Sequence, residues 1–351
     1  MELPFGLNPY ENDPGAWGAS LINNAEMLLG CLDAVRARSV IEIGAYAGDL
    51  TRLLLLWAER EGARIVAVDP SPKPELEQLA RERKELELVR ETSLQALVQL
   101  EVADAVIVDG DHNYYTVSEE LRRIEQRSEQ SGVELPLLML HDVGWPHGRR
   151  DDYFDPGQIP AEHRQPIAPG GGLYPGIPGT RPGGLPYPWP AAEEGGARNG
   201  VLTAIEDFVS QRPRLRLAIF PAFYGLGIVF RREAGYAGEL ARLLDPWDCN
   251  PLLERLERNR VLHLASSHVQ LSLALDAERR LVREHELLEG MLASRAFAAA
   301  ELFLRVRQRG KPAFSREQIR QVMGKERVDG PTSDQNGASA GPAPKPGEAA
   351  R

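Results

Sequence analysis

From Ser39 onward, short apolar runs rich in β-branched residues alternate with segments whose apolar positions recur every three to four residues. SVIEI opens the series at Ser39, and Asp49 to Glu61 follows as an amphipathic helix. ARIVAVD is a second strand ending at Asp69, and Pro70 to Lys84 reads as loop and helix. LELVRE is a third strand, followed by TSLQALVQL as a short helix that Thr92 or Ser93 would open. DAVIVDG is a fourth, apolar enough in its first half to be buried on both faces. VSEELRRIEQRS is the next helix and LPLLMLHD the fifth strand. This alternation predicts a parallel sheet covered by helices on both faces, with Asp109 and Asp142 on the carboxyl edge where such sheets bind ligands.

The pattern then stops. Val143 to Gly200 contains 11 prolines and 13 glycines in 58 residues, interleaved with Trp145, Tyr153, Phe154, Tyr174, Tyr187 and Trp189. Loops of this length inside a compact domain are disordered or functional, and the aromatics favour a partly ordered lid at 143–199. VLTAIEDFVSQ resumes as a helix, and LRLAIFPA and YGLGIVFRR predict an antiparallel hairpin that closes the sheet. The fold class is therefore α/β, a Rossmann-like, doubly wound, seven-stranded sheet, mostly parallel with an antiparallel last strand, within a domain at 1–235. From 236 to 324 Leu, Ala, Arg and Glu recur at helical spacing, as at Leu271, Leu275, Val282 and Leu288, and predict a helical appendage that packs on its own domain or on a twin subunit. SREQ at Ser315–Gln318 fits a capping box, and 325–351 is too poor in apolar residues to fold.

Composition narrows the class. With 351 residues, 42% hydrophobic, the chain can build a sizeable core. A net charge of −10 argues against nucleic-acid backbone as a partner, because neutralising phosphates needs a basic face. Cys31 and Cys249 form neither a metal-type cluster nor a disulfide framework and are expected to be buried free thiols. The start, MELPFGLNPYENDPG, has no basic-then-apolar signal, and the run Leu53 to Ala58 is too short to span a bilayer, so a cytoplasmic protein without membrane partners is expected.

The turn after the first strand, VIEIGAYAGDL, carries the candidate chemistry. A dinucleotide fingerprint starting at Gly44 would need glycine at Tyr46 and Asp49, and Asp49 would set a carboxylate where a pyrophosphate must sit. This disfavours a nicotinamide oxidoreductase. Together with Glu42, the turn suits a ligand without phosphate that carries positive charge. S-adenosylmethionine has a sulfonium, an ammonium and a ribose, and Asp69 is placed to accept hydrogen bonds from the ribose hydroxyls.

EIGAYAG, VAVDP and VIVDGDHNYYTV in this order resemble the class I S-adenosylmethionine-dependent methyltransferases, and the GAYxG form is similar to the catechol and caffeoyl-CoA O-methyltransferases. The resemblance covers roughly Ala25 to Arg232. It implies that Glu42, Gly44, Ala45 and Gly48 line the methionine end of the cofactor, that Asp69 holds the ribose, and that Thr92 and Ser93 lie near the adenine. In metal-dependent relatives Asp109 would bind Mg²⁺ with residues after the fifth strand. In the macrolide-sugar methyltransferase and cephalosporin hydroxylase branch, a histidine spaced as His112 is from Asp109 acts as base.

Methyl transfer requires alignment of the attacking atom and, for a hydroxyl, removal of its proton. Asp109, Asp111 and His112 form the densest titratable cluster of the domain, and an ordinary imidazole pKa suits His112 as the base. Asp109 and Asp142 are the candidate ligands of Mg²⁺ or another divalent metal. The expected neighbouring ligand is replaced by His141 or Val143, and an imidazole would tilt preference toward Mn²⁺, Fe²⁺ or Zn²⁺. Plainer roles compete. Asp111 could cap the following helix, His141 could be a core histidine bonded to backbone, and Arg149 and Arg150 could pair with Asp151, Asp152 and Asp155. Tyr114 and Trp145 are candidate walls for a small-molecule methyl acceptor such as a sugar or secondary-metabolite intermediate. The alternatives are a non-methylating cephalosporin-hydroxylase-like enzyme and a non-catalytic scaffold for the helical arm.

Overall fold

The computed structural model describes residues 21–307 and 315–326, so the N-terminal segment and, from residue 327, the predicted tail lie outside the described residues. The chain divides into two compact units, 1–272 and 273–351.

The first unit opens with α1 (Ala25–Val35), β1 (Ser39–Ile43), α2 (Asp49–Glu61), β2 (Arg64–Val68), α3 (Pro74–Glu82), β3 (Leu86–Val89), α4 (Ser93–Ala96), β4 (Ala105–Val108), α5 (Tyr114–Ser131) and β5 (Leu137–His141). The Gly/Pro-rich insertion follows and holds one small antiparallel pair, β6 (Gly172–Leu173) and β7 (Leu185–Pro186). Then come α6 (Val201–Ser210), β8 (Leu215–Phe220), β9 (Leu226–Arg231), α7 (Ala237–Leu244) and the start of α8 (Pro251–Ala293). The main sheet has seven strands in the order β3-β2-β1-β4-β5-β9-β8. β9 runs antiparallel to both its neighbours, so the predicted hairpin is present with its second strand threaded inside the first.

Side chains alternate across the sheet, as a strand period of two requires. Val40, Ile65, Ala105 and Met139 join α1, α2 and α7 in one core layer, whereas Ile41, Val66, Val106 and Leu140 join α5 and α6 in the other. β4 and β5 are buried throughout because both faces are covered, which explains their unbroken apolar sequences. α1 went unpredicted, its apolar face lying upstream of the first strand signal. Leu240 and Leu244 of α7 belong to the core layer that includes α1, so the first unit extends past residue 235. Cys31 is buried, as expected; Cys249 is exposed instead, in a turn where its backbone adopts φ 48°.

Strand order reverses between β1 and β4. In open α/β sheets this switch point leaves a crevice at the carboxyl ends of the two strands. Gly44 and Asp109 are the first residues beyond those ends.

The second unit consists of the remainder of α8, α9 (Arg295–Arg307) and α10 (Arg316–Glu326). The capping box at Ser315 is formed in both directions: Gln318 N donates to Ser315 Oγ at 3.2 Å and Ser315 N to Gln318 Oε1 at 3.0 Å. Among the described residues Leu275, Val282 and Leu288 are 41–53% exposed. Among the described residues no helix is long and apolar enough to cross a membrane.

Candidate active site

One half of the crevice is built by one short turn. Gly44 has φ 86° and Gly48 φ 83°, conformations that glycine adopts without a Cβ penalty. At Gly44 a second constraint applies, since a Cβ there would stand 2.1 Å from the carbonyl oxygen of Asp109. The turn is closed by Gly48 N donating to Ala45 O at 2.7 Å, which brings the N-terminus of α2 to the crevice. Asp69 is buried and oriented from both sides: Tyr46 N donates to its Oδ2 and Ser71 N to its Oδ1, each at 2.7 Å. Each oxygen keeps a further lone pair for a ligand hydroxyl. Glu42 lies beneath the turn, 2% exposed, and accepts a 2.7 Å hydrogen bond from Thr51 Oγ1. Burial pushes its carboxyl up to about 8, with Thr51 opposing and the acids Asp109, Asp69 and Asp49 adding to the rise. Ser93 begins α4, whose capping box is made by Thr92 and Gln95. It neighbours the fully buried Glu120, which burial likewise pushes up to about 8.

The other half gathers residues that are distant in sequence. Asp109 and His112 follow β4, and His141 and Asp142 end β5, with Asp142 in the left-handed region at φ 59°. His112 Nε2 lies 3.0 Å from Asp142 Oδ2 and 3.7 Å from Asp109 Oδ1. His141 Nδ1 lies 3.0 Å from Asp109 Oδ1 and 3.3 Å from Asp142 Oδ2. Asp109, His141 and Asp142 each offer an atom within 4.8 Å of the other two. Burial opposes charge throughout this cluster, yet the groups hold one another ionised. Both aspartates lie below the ordinary carboxylate range, chiefly through the charge of His141, with further help from His112. Burial pulls His112 down, but the Asp142 charge and then Asp109 and Asp111 push it up to about 9. The ordinary imidazole pKa expected for His112 is therefore displaced upward.

Three residues that sequence patterning left out complete the surroundings. His147, from the insertion, stacks on His112 at 4.7 Å between ring centroids, and Tyr187 meets His147 edge-on at 5.1 Å. Burial, then the charge of His112, pulls His147 down to about 3, so it stays neutral. Tyr224, from the β8–β9 turn, lies beneath the Arg260 guanidinium at 4.5 Å. Their sequence neighbourhoods carry no period or spacing that ties them to the β4–β5 edge.

The insertion is fastened to the segment around His112. Asp152 N donates to His112 O at 3.0 Å, Phe154 N to Asp111 Oδ1 at 3.0 Å, and Tyr114 N to Asp151 Oδ1 at 2.8 Å. Asp151 is wholly buried and also accepts from Gly200 N and the Tyr153 hydroxyl. The predicted pairing of Arg149 and Arg150 with neighbouring acids does not form. Arg149 reaches Glu206 on α6, and the buried Arg150 donates to the carbonyls of Ala191 and Pro178 and lies 3.8 Å from Glu194, while Asp151 and Asp155 accept from backbone amides. Asp111 does not cap α5; Asn113 does, accepting from Thr116 N at 2.8 Å. Tyr114 directs its hydroxyl to Asp207 on α6 at 2.8 Å, and Trp145 is half-buried.

Comparison with known proteins bears on the same segment. Residues 41–143 match the family model described as a methyltransferase domain. No curated protein matches. Similar solved structures include a methyltransferase from Podospora anserina with bound S-adenosylhomocysteine (15% identity, 66% of this chain and 90% of that chain, TM-score 0.40). A 1,6-didemethyltoxoflavin N1-methyltransferase from Burkholderia thailandensis has 15% identity over 60% of this chain and 77% of that chain, TM-score 0.35. Human N-acetylserotonin methyltransferase has 15% identity over 59% of this chain and 51% of that chain, TM-score 0.33. The matched segment runs from β1 through Asp142 and contains the glycine turn, Asp69 and the β4 and β5 edge. Over residues 41–143 the chain is thus similar to a methyltransferase domain, and its strand order has the β1–β4 switch point at which open α/β sheets bind ligands.

Proposed function

We propose that this protein transfers the methyl group of S-adenosylmethionine to a hydroxyl oxygen of a small metabolite, with His112 as general base. One observation carries the reading. The glycine turn that suits the donor packs directly on the Asp109 carbonyl, so donor turn and titratable cluster share one crevice wall. Gly44, Ala45 and Gly48 would hold the methionine end and Asp69 the ribose, with Glu42 bracing the turn from below and Ser93 at the adenine side. The insertion at 143–199 would close the acceptor side, where His147 stacks on His112 and Tyr187 packs edge-on against His147.

The donor set of Asp109 Oδ1 and Asp142 Oδ2 fits a divalent cation, as hard oxygen ligands facing one point do. Such a cation would polarise the acceptor hydroxyl and offset the two carboxylate charges that hold His112 protonated. Neutral His112 takes the hydroxyl proton as the oxygen attacks the methyl carbon. Asp142, 3.0 Å away, stabilises the imidazolium so formed. Calorimetry with S-adenosylhomocysteine is the test. One site per chain is expected, weakened at least tenfold in Asp69→Ala, and absence of binding with and without divalent metal would remove the proposal.

A further inference from the structure

His141 does more than fill the core. Its ring is 3% exposed, and its Nε2 lies 2.8 Å from the carbonyl oxygen of Phe223. A carbonyl only accepts, so Nε2 carries the hydrogen and Nδ1 is the atom directed at Asp109 and Asp142. Nδ1, Asp109 Oδ1 and Asp142 Oδ2 thus converge on one another; a proton on Nδ1 holds the two carboxylates together, and a bound cation would take that proton's place. A second nitrogen approaches the same carboxylates: His112 Nε2 is buried, lies near both, and has no aligned hydrogen-bond partner among the described residues. Next to it His147, 5% exposed, also leaves its buried Nδ1 without a partner.

The orientation of His141 is itself built. Phe223 and Tyr224 both adopt left-handed backbone, φ 51° and 66°. Glu257 on α8 holds them there, with Phe223 N donating to its Oε2 at 3.1 Å and Tyr224 N to its Oε1 at 2.8 Å. Arg260, one turn on, pairs with Glu257 at 2.6 Å. A helix outside the sheet thus fixes the carbonyl that orients the ring of His141. A histidine whose second nitrogen is anchored to a backbone carbonyl is the usual arrangement of a metal ligand.

We infer that His141 Nδ1 is a third ligand beside Asp109 and Asp142, and that the centre selects a divalent ion with affinity for nitrogen, Mn²⁺ to Zn²⁺, over Mg²⁺. Two carboxylate oxygens and one imidazole suit the first-row transition ions, whereas Mg²⁺ prefers a shell of oxygens. Glu257 is a positioning residue, acting through Phe223. This third ligand presupposes the divalent cation proposed above, and the experiment separates the two.

The full-length protein, stripped with chelator, is titrated with Co²⁺, Mn²⁺, Zn²⁺ and Mg²⁺ by calorimetry, with Co²⁺ absorption followed in parallel. One transition ion per chain is expected, bound at least about 100-fold more tightly than Mg²⁺, with visible Co²⁺ bands reporting a nitrogen ligand. His141→Gln should lower Co²⁺ and Zn²⁺ affinity by about 10- to 100-fold and shift those bands, leaving Mg²⁺ affinity within about threefold. Glu257→Gln, which keeps one acceptor for the turn, should give a smaller loss of the same selectivity. Should His141→Gln fail to fold, the wild-type ion series and Glu257→Gln carry the test. Equal Mg²⁺ and Mn²⁺ affinities insensitive to both variants would overturn the inference while leaving a divalent cation in place. No binding of any ion would overturn both. S-adenosylhomocysteine binding by the same stripped protein reports on the methyltransferase reading independently.

Discussion

The two halves of the carboxyl edge are made in opposite ways. Around Gly44 and Asp69 nearly every polar group is satisfied by backbone within a few residues of the turn: Tyr46 N and Ser71 N on Asp69, Ala45 O on Gly48. Around Asp109 and Asp142 the polar groups face one another instead, from β4, from β5 and from the insertion. The first half is a preformed turn that would serve as the donor's cradle, and the second is a cluster of charges that hold one another. The difference suits the tasks proposed for them, since a donor must be held in one pose whereas a reacting group must change its protonation state.

The hardest test of this division removes the contact between the halves. Gly44→Ala would force a Cβ into the Asp109 carbonyl at a backbone angle of φ 86°. Left-handed strain and overpacking together should cost roughly 3 kcal/mol or more and abolish S-adenosylhomocysteine binding. Denaturant unfolding and calorimetry check this. Wild-type stability and affinity would mean the halves are not joined there.

Next in size is His112→Ala, which acts on the second half alone. Turnover should fall by about 10²- to 10⁴-fold with S-adenosylhomocysteine affinity within about threefold of wild type. A parallel loss of affinity would show that His112 serves the cradle rather than the reaction.

The glycine turn was legible in sequence because it is local. One strand, one turn and the end of the next strand lie within Val40 to Asp69, and the absent glycines at Tyr46 and Asp49 were informative in themselves. The sheet was legible through the unbroken apolar runs of β4 and β5, which only burial on both faces explains. His112, Asp109 and Asp142 could be nominated from their strand ends, but their partners could not. His147 and Tyr187 sit in a segment with no period, and Glu257 reaches the site through the backbone of Phe223 from a helix whose sequence pattern reports only amphipathicity. The pairing of Arg149 and Arg150 failed for a related reason. Proximity in sequence favoured adjacent acids, whereas the fold assigned Asp151 to two amides and a phenol.

A smaller effect sharpens the cradle's chemistry. Glu42 has its folded pKa raised to about 8, above an unfolded value of about 4.3, so the folded protein retains a proton that the unfolded chain releases between those values. Its contribution is full below pH about 4.3, declines as pH rises through the window and is lost above about 8. Relative to Glu42→Gln, which stays neutral, the wild type should lose roughly 1–4 kcal/mol between pH 5 and 9. Unfolding midpoints of the two proteins across that range measure the difference, which also cancels the parallel titration of Glu120. A pH-independent difference would mean that Glu42 is ionised in the folded state and meets a bound cofactor already charged.

The smallest effect asks what holds the reactive segment in place. Asn113 caps α5 through Thr116 N, directly after His112. Losing a cap costs about 1 kcal/mol. If the cap alone positioned His112, Asn113→Ala would lower turnover along with stability. The insertion also grips this segment, through Asp152 N on His112 O and Asp151 on Tyr114 N, and those contacts survive the substitution. Turnover at saturating donor should therefore stay within about threefold while the unfolding free energy drops by about 1 kcal/mol, and Asn113→Asp should restore most of the stability. A turnover loss exceeding tenfold would show that helix α5, rather than the insertion, sets the position of His112.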